Sequence, residues 1–179
     1  MLKLVLFRHA KSAWDDPALD DFDRGLADRG IRATPLMAQW IADNGHLPDV
    51  VLCSSAVRTR ATLALAAETL GLHARSVRYD DRLYLADAPQ MGALVRELAE
   101  DETTATSKTV LIVGHNPGLH AFALECVGRG PSAAMKRLAT KVPTASVIVI
   151  QFAGEAWSAL APAAGELRAF ETPKTVCRA

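Results

Sequence analysis

The chain has 179 residues, half of them hydrophobic, and its twenty basic and twenty acidic residues leave no net charge. That length suits one domain over residues 1–179 with a substantial core, and the charge balance removes any global pull toward nucleic acid or an anionic membrane. Cys53, Cys126 and Cys177 are odd in number and widely spaced, which argues against a disulfide framework or a zinc site and fits a cytoplasmic, reducing setting; no signal-peptide pattern opens the chain, and no apolar stretch reaches the roughly 18–20 residues of a membrane span.

In chain order, Lys3–Phe7 reads as a strand that delivers Arg8 and His9 at its end. Asp15–Gly25 is acidic and aperiodic, a solvated loop. Asp28–Asn44 is a helix packing through Leu36, Met37, Trp40 and Ile41 and stopping at Asn44-Gly45; Pro35 implies a kink or a later start. Val50–Cys53 is a strand running into Ser54-Ser55-Ala56-Val57-Arg58, and Val57–Leu70 is a helix stopped by Gly71. Ser76–Tyr79 is a further strand. Near Pro89–Ala99, Met91, Leu94, Val95 and Leu98 form a helical stripe. Thr109–Val113 is a strand leading through Gly114 to His115. Pro117–Val127 is a helix with Asn116 as its cap and Pro117 at its first position. Gly128–Pro143, with Lys136-Arg137, reads as a loop. Ser146–Phe152 is a strand, and Leu167–Phe170 adds an edge strand.

Short apolar runs alternating with helices imply an α/β fold around a largely parallel, buried sheet. Ligands collect beyond the carboxyl ends of such strands. Arg8, His9, Arg58 and His115 all fall at strand ends on that edge. A phosphoryl group carries about two negative charges near neutral pH, and two guanidiniums offer it forked donors. His9 must be neutral to attack phosphorus; its ordinary pKa is about 6.5, and neighbouring arginines disfavour its charged form. His115 is then the candidate for the protonated partner that stabilises transition-state charge. Ser12 offers a hydroxyl to phosphate, although loop hydrogen bonding explains it equally well. Asp87 is a possible general acid, and capping of the helix that follows at Pro89 explains it more simply.

On these residues the chain resembles the histidine phosphatase superfamily, with its phosphoglycerate mutase-like fold, and within it the SixA-type phosphohistidine phosphatases. The opening Arg-His-Gly pattern appears as Arg8-His9-Ala10. The Ser-x-x-x-Arg segment runs from Ser54 to Arg58, and the second histidine motif is Val113-Gly114-His115-Asn116-Pro117-Gly118. The SixA-type branch is matched by Arg8 through Trp14, Asp21-Phe-Asp-Arg24, Arg29-Gly30, Pro143-Thr144-Ala145 and Thr172-Pro173-Lys174. The resemblance implies a three-layer α/β/α sandwich and transient phosphorylation of His9. It further implies phosphoryl binding by Arg8, Arg58 and His115, and no cofactor or metal.

Three departures bear on the substrate. Ala10 stands for glycine, a small change unless a positive φ is required there. Asp15 stands where the mutase branch has Asn, and Asn116 stands where the acid phosphatase branch has its proton-donating Asp. The insertion carrying the mutases' acidic Glu is also lacking. An alkoxide leaving group needs a proton from the enzyme, whereas a protonated imidazole leaves without one. The expected substrate is therefore a phosphohistidine-bearing protein. A small phosphorylated metabolite, with Asp87 as acid, is the alternative, and a phosphate-binding module with little turnover is the remaining one.

Overall fold

The structure is a computed structural model and describes residues 1–177. One seven-stranded sheet runs through it: β1 (Leu2–Arg8), β2 (Val50–Ser54), β3 (Val77–Asp80), β4 (Thr109–Gly114), β5 (Val127–Arg129), β6 (Val147–Phe152) and β7 (Gly165–Glu171). The order across it is β3-β2-β4-β1-β6-β7-β5. Pairing is parallel between β1 and β4, β2 and β4, β2 and β3, and β5 and β7. Only β6 is reversed, lying antiparallel to both β1 and β7.

The unbroken apolar runs divide by the two-residue period of a strand. Leu2, Leu4 and Leu6 of β1 join one core with Val110 and Ile112 of β4 and Ile148 and Ile150 of β6. Val5 and Phe7, with Leu111, Val113, Val147 and Val149, join a second core on the other face. The helices α3 (Ala88–Glu97) and α4 (Gly118–Cys126) cover the first face through Met91, Leu94, Leu119 and Phe122. The helices α1 (Asp28–Asp43) and α2 (Val57–Ala66) cover the second through Met37, Ile41, Leu63 and Ala66. The result is a three-layer α/β/α sandwich, and burial on both faces explains why the central strands β1, β2, β4 and β6 are almost wholly apolar rather than alternating, while the outer β3 and β7 carry polar residues.

The structure departs from the sequence reading at the sheet margin, where β5 lies outside β7 and takes the edge expected for Leu167–Phe170, and in three further places. Residues 128–143 are not simply a loop: they hold the end of β5 and the helix α5 (Ser132–Thr140). Gly128 and Gly130 look like breakers but are demanded by packing. A Cβ on Gly128 would lie 1.9 Å from the Ala163 carbonyl oxygen, and one on Gly130 2.7 Å from Leu167 Cβ. The helical signal in α5 was the weak triplet Ala134, Met135 and Leu138, the residues it turns to the core. Secondly, α1 begins at Asp28 and runs through Pro35. Pro35 is exposed, so the carbonyl it leaves unbonded one turn earlier can be hydrated. Thirdly, Asn116 does not cap α4, whose cap position is Pro117. The Asn116 side chain instead donates to the Val142 carbonyl at 3.0 Å.

Candidate active site

The strand ends converge as the topology requires. β1 and β4 are paired to their last residues, Arg8 opposite Gly114, so His9 and His115 leave the sheet side by side. Their rings lie 5.2 Å apart, inclined at 49°. β2, on the far side of β4, contributes Ser54 and, in the first turn of the following helix, Arg58. The reversed β6 enters at this same edge, so the segment before it, Val142–Ser146, forms the opposite wall.

His9 is held by backbone. Its Nδ1 sits 2.8 Å from the Ala10 carbonyl oxygen. A carbonyl only accepts, so Nδ1 carries the proton and Nε2 keeps its lone pair. The amide of Ala10 donates to Thr62 Oγ1 at 3.0 Å. Ala10 is not among the residues with positive φ, so alanine fits where related chains carry glycine. Ala145 takes the left-handed conformation nearby, at φ 59°, and its amide donates to the carbonyls of both Arg8 and His9. Burial, with smaller contributions from Arg58 and Arg8, pushes the His9 pKa down to about 4. The ring is neutral near pH 7.

His115 is almost wholly buried, and its Nε2 lies 2.8 Å from Ser54 Oγ. The Ala56 amide donates to that same hydroxyl oxygen, and the hydroxyl proton has no acceptor other than Nε2 among the described residues, so the imidazole proton is assigned to Nδ1. His115 Nδ1 is buried without a protein partner. Burial, Arg58 and His9 push the His115 pKa down to about 3. The sequence reading made His115 the protonated partner; burial among cations disfavours a further positive charge and keeps it neutral. It can still donate through Nδ1–H.

Arg8 donates to the Val142 carbonyl at 2.7 Å, leaving its Nε buried and unpaired. Arg58 is buried and meets Asp21 twice, through the Asp21 backbone carbonyl and through the carboxylate at 2.8 Å. Tyr84 donates to the same carboxylate at 2.8 Å, and its ring stands edge-on to His115 at 5.5 Å. Burial raises the Asp21 carboxyl, but the hydrogen bonds from Tyr84 and Arg58 outweigh it and hold the group below its usual range.

The acidic loop therefore reaches the site. A backbone bridge between Ser12 and Leu26 closes its neck, and a short helical turn at Asp21–Asp23 carries its tip. Ser12 itself is mostly buried at that neck. Asp87 caps α3: its carboxylate accepts from the Gln90 amide at 2.9 Å, and Gln90 returns the bond. The four residues read from strand ends thus come together. Sequence reasoning missed Ser54 as the partner of His115, although it opens the Ser-x-x-x-Arg motif. It also missed Asp21 as the partner of Arg58, although Asp21 opens the Asp21-Phe-Asp-Arg24 motif, and Tyr84, which carries no local signal. Among the described residues, no group of three or more His, Cys, Asp or Glu side chains could hold a metal ion, and no helix is long and apolar enough to cross a membrane.

Comparison with known proteins agrees with this geometry. An uncharacterised protein of Mycobacterium leprae is 37% identical over 171 residues, covering 93% of this chain and 99% of that one. The solved structure of a protein assigned as phosphohistidine phosphatase SixA from Nakamurella multipartitia is 36% identical. It superposes with a TM-score of 0.77 over 96% of each chain. One similarly assigned from Agrobacterium tumefaciens is 27% identical with a TM-score of 0.76, over 96% of this chain and 99% of that one. The sequence model of the histidine phosphatase superfamily (branch 1) matches residues 4–94, the span holding Arg8, His9 and Arg58. By its motifs, its fold and these relatives, the chain belongs to the histidine phosphatase superfamily.

Proposed function

We propose that the chain acts as one phosphatase domain that removes the phosphoryl group from phosphohistidine on a protein, with His9 as nucleophile. The observation that carries this reading is the bond from His9 Nδ1 to the Ala10 carbonyl. It presents Nε2 as a lone pair in a ring whose lowered pKa keeps it neutral. Nε2 bonds to phosphorus while the bond from phosphorus to the substrate imidazole breaks. The phosphohistidine reacts in its imidazolium form, so the leaving imidazole departs neutral, keeping the proton on its other nitrogen, and no enzyme carboxylic acid is required. Water then adds to phosphorus, the bond to Nε2 breaks, and dihydrogen phosphate leaves with both water protons. Arg8, Arg58 and the Nδ1–H of His115 hold the phosphoryl oxygens as charge redistributes. The SixA-type assignments of the Nakamurella and Agrobacterium proteins support the same substrate class.

Phosphate release from a phosphohistidine protein and from a panel of phosphate monoesters, by wild type and His9→Ala, tests the reading. Release from phosphohistidine that depends on His9, through an acid-labile and base-stable phosphoenzyme, is the expected result. Faster turnover of a monoester would shift the assignment to a metabolite phosphatase. Asp87→Asn checks that alternative separately, because asparagine caps a helix as well as aspartate does. Turnover is expected to stay within about twofold of wild type, since a positioned general acid contributes about 100-fold or more.

A further inference from the structure

A large cavity lies beside the candidate active site rather than on it. It has a volume of about 920 Å³ and is lined by five cations, Lys11, Arg29, Arg137, Lys141 and Lys174, and by no carboxylate side chain among the described residues. This concentration is unexpected in a chain without net charge. Arg137 is partly committed: it lies over the Phe170 ring and 3.9 Å from Glu171. No ion pair among the described residues reaches Lys11, Arg29, Lys141 or Lys174, and all four are exposed.

The groove is continuous with the site. Lys11 follows His9 by two residues, and Ala145, on the groove floor, is the residue whose amide holds the carbonyls of Arg8 and His9. Val142, between the lining residues Lys141 and Pro143, supplies the carbonyl that anchors Arg8. The opposite flank has no such excess of cations. There Asp21 pairs with Arg58, and Asp23 and Arg60 border one hollow with Phe22, Ser55 and Val57. The sheet order explains the separation: β6 and β2 lie on different sides of β1.

We infer that the groove binds an acidic segment of the protein substrate next to its phosphohistidine, and so selects which phosphohistidines are hydrolysed. This rests on the phosphatase reading for what the segment carries. Unpaired exposed cations beside an apolar floor of Ala145, Phe170 and Pro173 suit a carboxylate-rich peptide, with the charges steering and the floor adding contact area.

The test uses synthetic peptides bearing one phosphohistidine flanked by Glu, by Ser or by Lys, alongside free phosphohistidine. For wild type, kcat/KM is expected to be on the order of tenfold higher with Glu flanks than with Ser flanks, and lower again with Lys flanks. The double variant Lys141→Glu/Lys174→Glu should erase the Glu preference while hydrolysing free phosphohistidine within about twofold of wild type, because neither lysine belongs to the reacting group. Added salt, to about 0.3 M, should erase it too. Equal treatment of the peptides by wild type, or a preference that survives in the variant, overturns the proposal. If free phosphohistidine is not hydrolysed either, the phosphatase reading fails. Fluorescence anisotropy of the unphosphorylated Glu-flanked peptide then decides the groove alone: binding lost in the double variant supports it, and no binding overturns it. Tight binding of ATP with no binding of the peptide also overturns it, in favour of a small polyanion.

Discussion

At the scale of single residues, the site is two neutral histidines and two arginines, each set by one neighbour. His9 takes its tautomer from the Ala10 carbonyl and His115 takes its tautomer from Ser54. Ser54→Ala frees Nε2 of His115 to compete for the ring proton, so kcat is expected to fall about tenfold or more, the scale of losing one positioned donor. Stability should change by only about 1 kcal/mol, the worth of one hydrogen bond. A rate loss matched by an equal loss in the unfolding midpoint would reduce Ser54 to a packing residue. Asp21 acts in the opposite sense, since its carboxylate offsets the charge of Arg58. Asp21→Asn keeps an acceptor for Arg58 and Tyr84 but removes a negative charge beside the phosphoryl position. Inhibition by inorganic phosphate should tighten several-fold at low salt, and an unchanged inhibition constant would sink that account. Arg8, His9 and His115 were readable from sequence because they close apolar runs, and Arg58 because it opens the helix that follows one; a parallel sheet brings such positions to one edge. Asp21 and Tyr84 were not, because their meeting depends on how a 3-10 turn and a loop more than sixty residues later fold against one another.

At the scale of elements, the buried strands and the amphipathic helices were readable because both rest on periodicity. β5 and α5 were hidden for one reason: glycines placed for close packing look the same in sequence as glycines placed for turns. Gly118 is another case. It opens α4 directly after the His115 loop, and a Cβ there would stand 1.7 Å from the Ala86 carbonyl oxygen and 3.2 Å from Asp87 Cα. Both obstacles are backbone. Gly118→Ala is therefore expected to cost about 2 kcal/mol or more, seen as a lower denaturation midpoint, and to depress turnover as well, because the helix that backs His115 must shift. Wild-type stability in this variant would show that the Ala86–Asp87 segment yields freely.

At the scale of the whole molecule, the buried histidines make the fold acid-sensitive. Both have folded-state pKa values below the ordinary 6.5, so the unfolded chain binds more protons in that range. Stability is full above about pH 6.5 and is lost as pH falls toward about 4 for His9 and about 3 for His115. The lowered Asp21 carboxyl adds to the loss at the acid end. The urea midpoint is expected to drop between about pH 7 and about pH 4.5, and less steeply in His115→Gln, which has no proton to gain. An equal slope in that variant would assign the acid sensitivity elsewhere. The sheet order has a different consequence, which concerns time. β1 occupies the centre of the sheet, yet its neighbours β4 and β6 follow it by about a hundred residues or more. On the ribosome, the strand that ends in His9 emerges long before either partner exists. Contacts so distant along the chain fold slowly. The reactive imidazole therefore cannot acquire its tautomer, its arginines or its wall until synthesis has passed Ser146, and a nascent or truncated chain holding every catalytic side chain would still be inert.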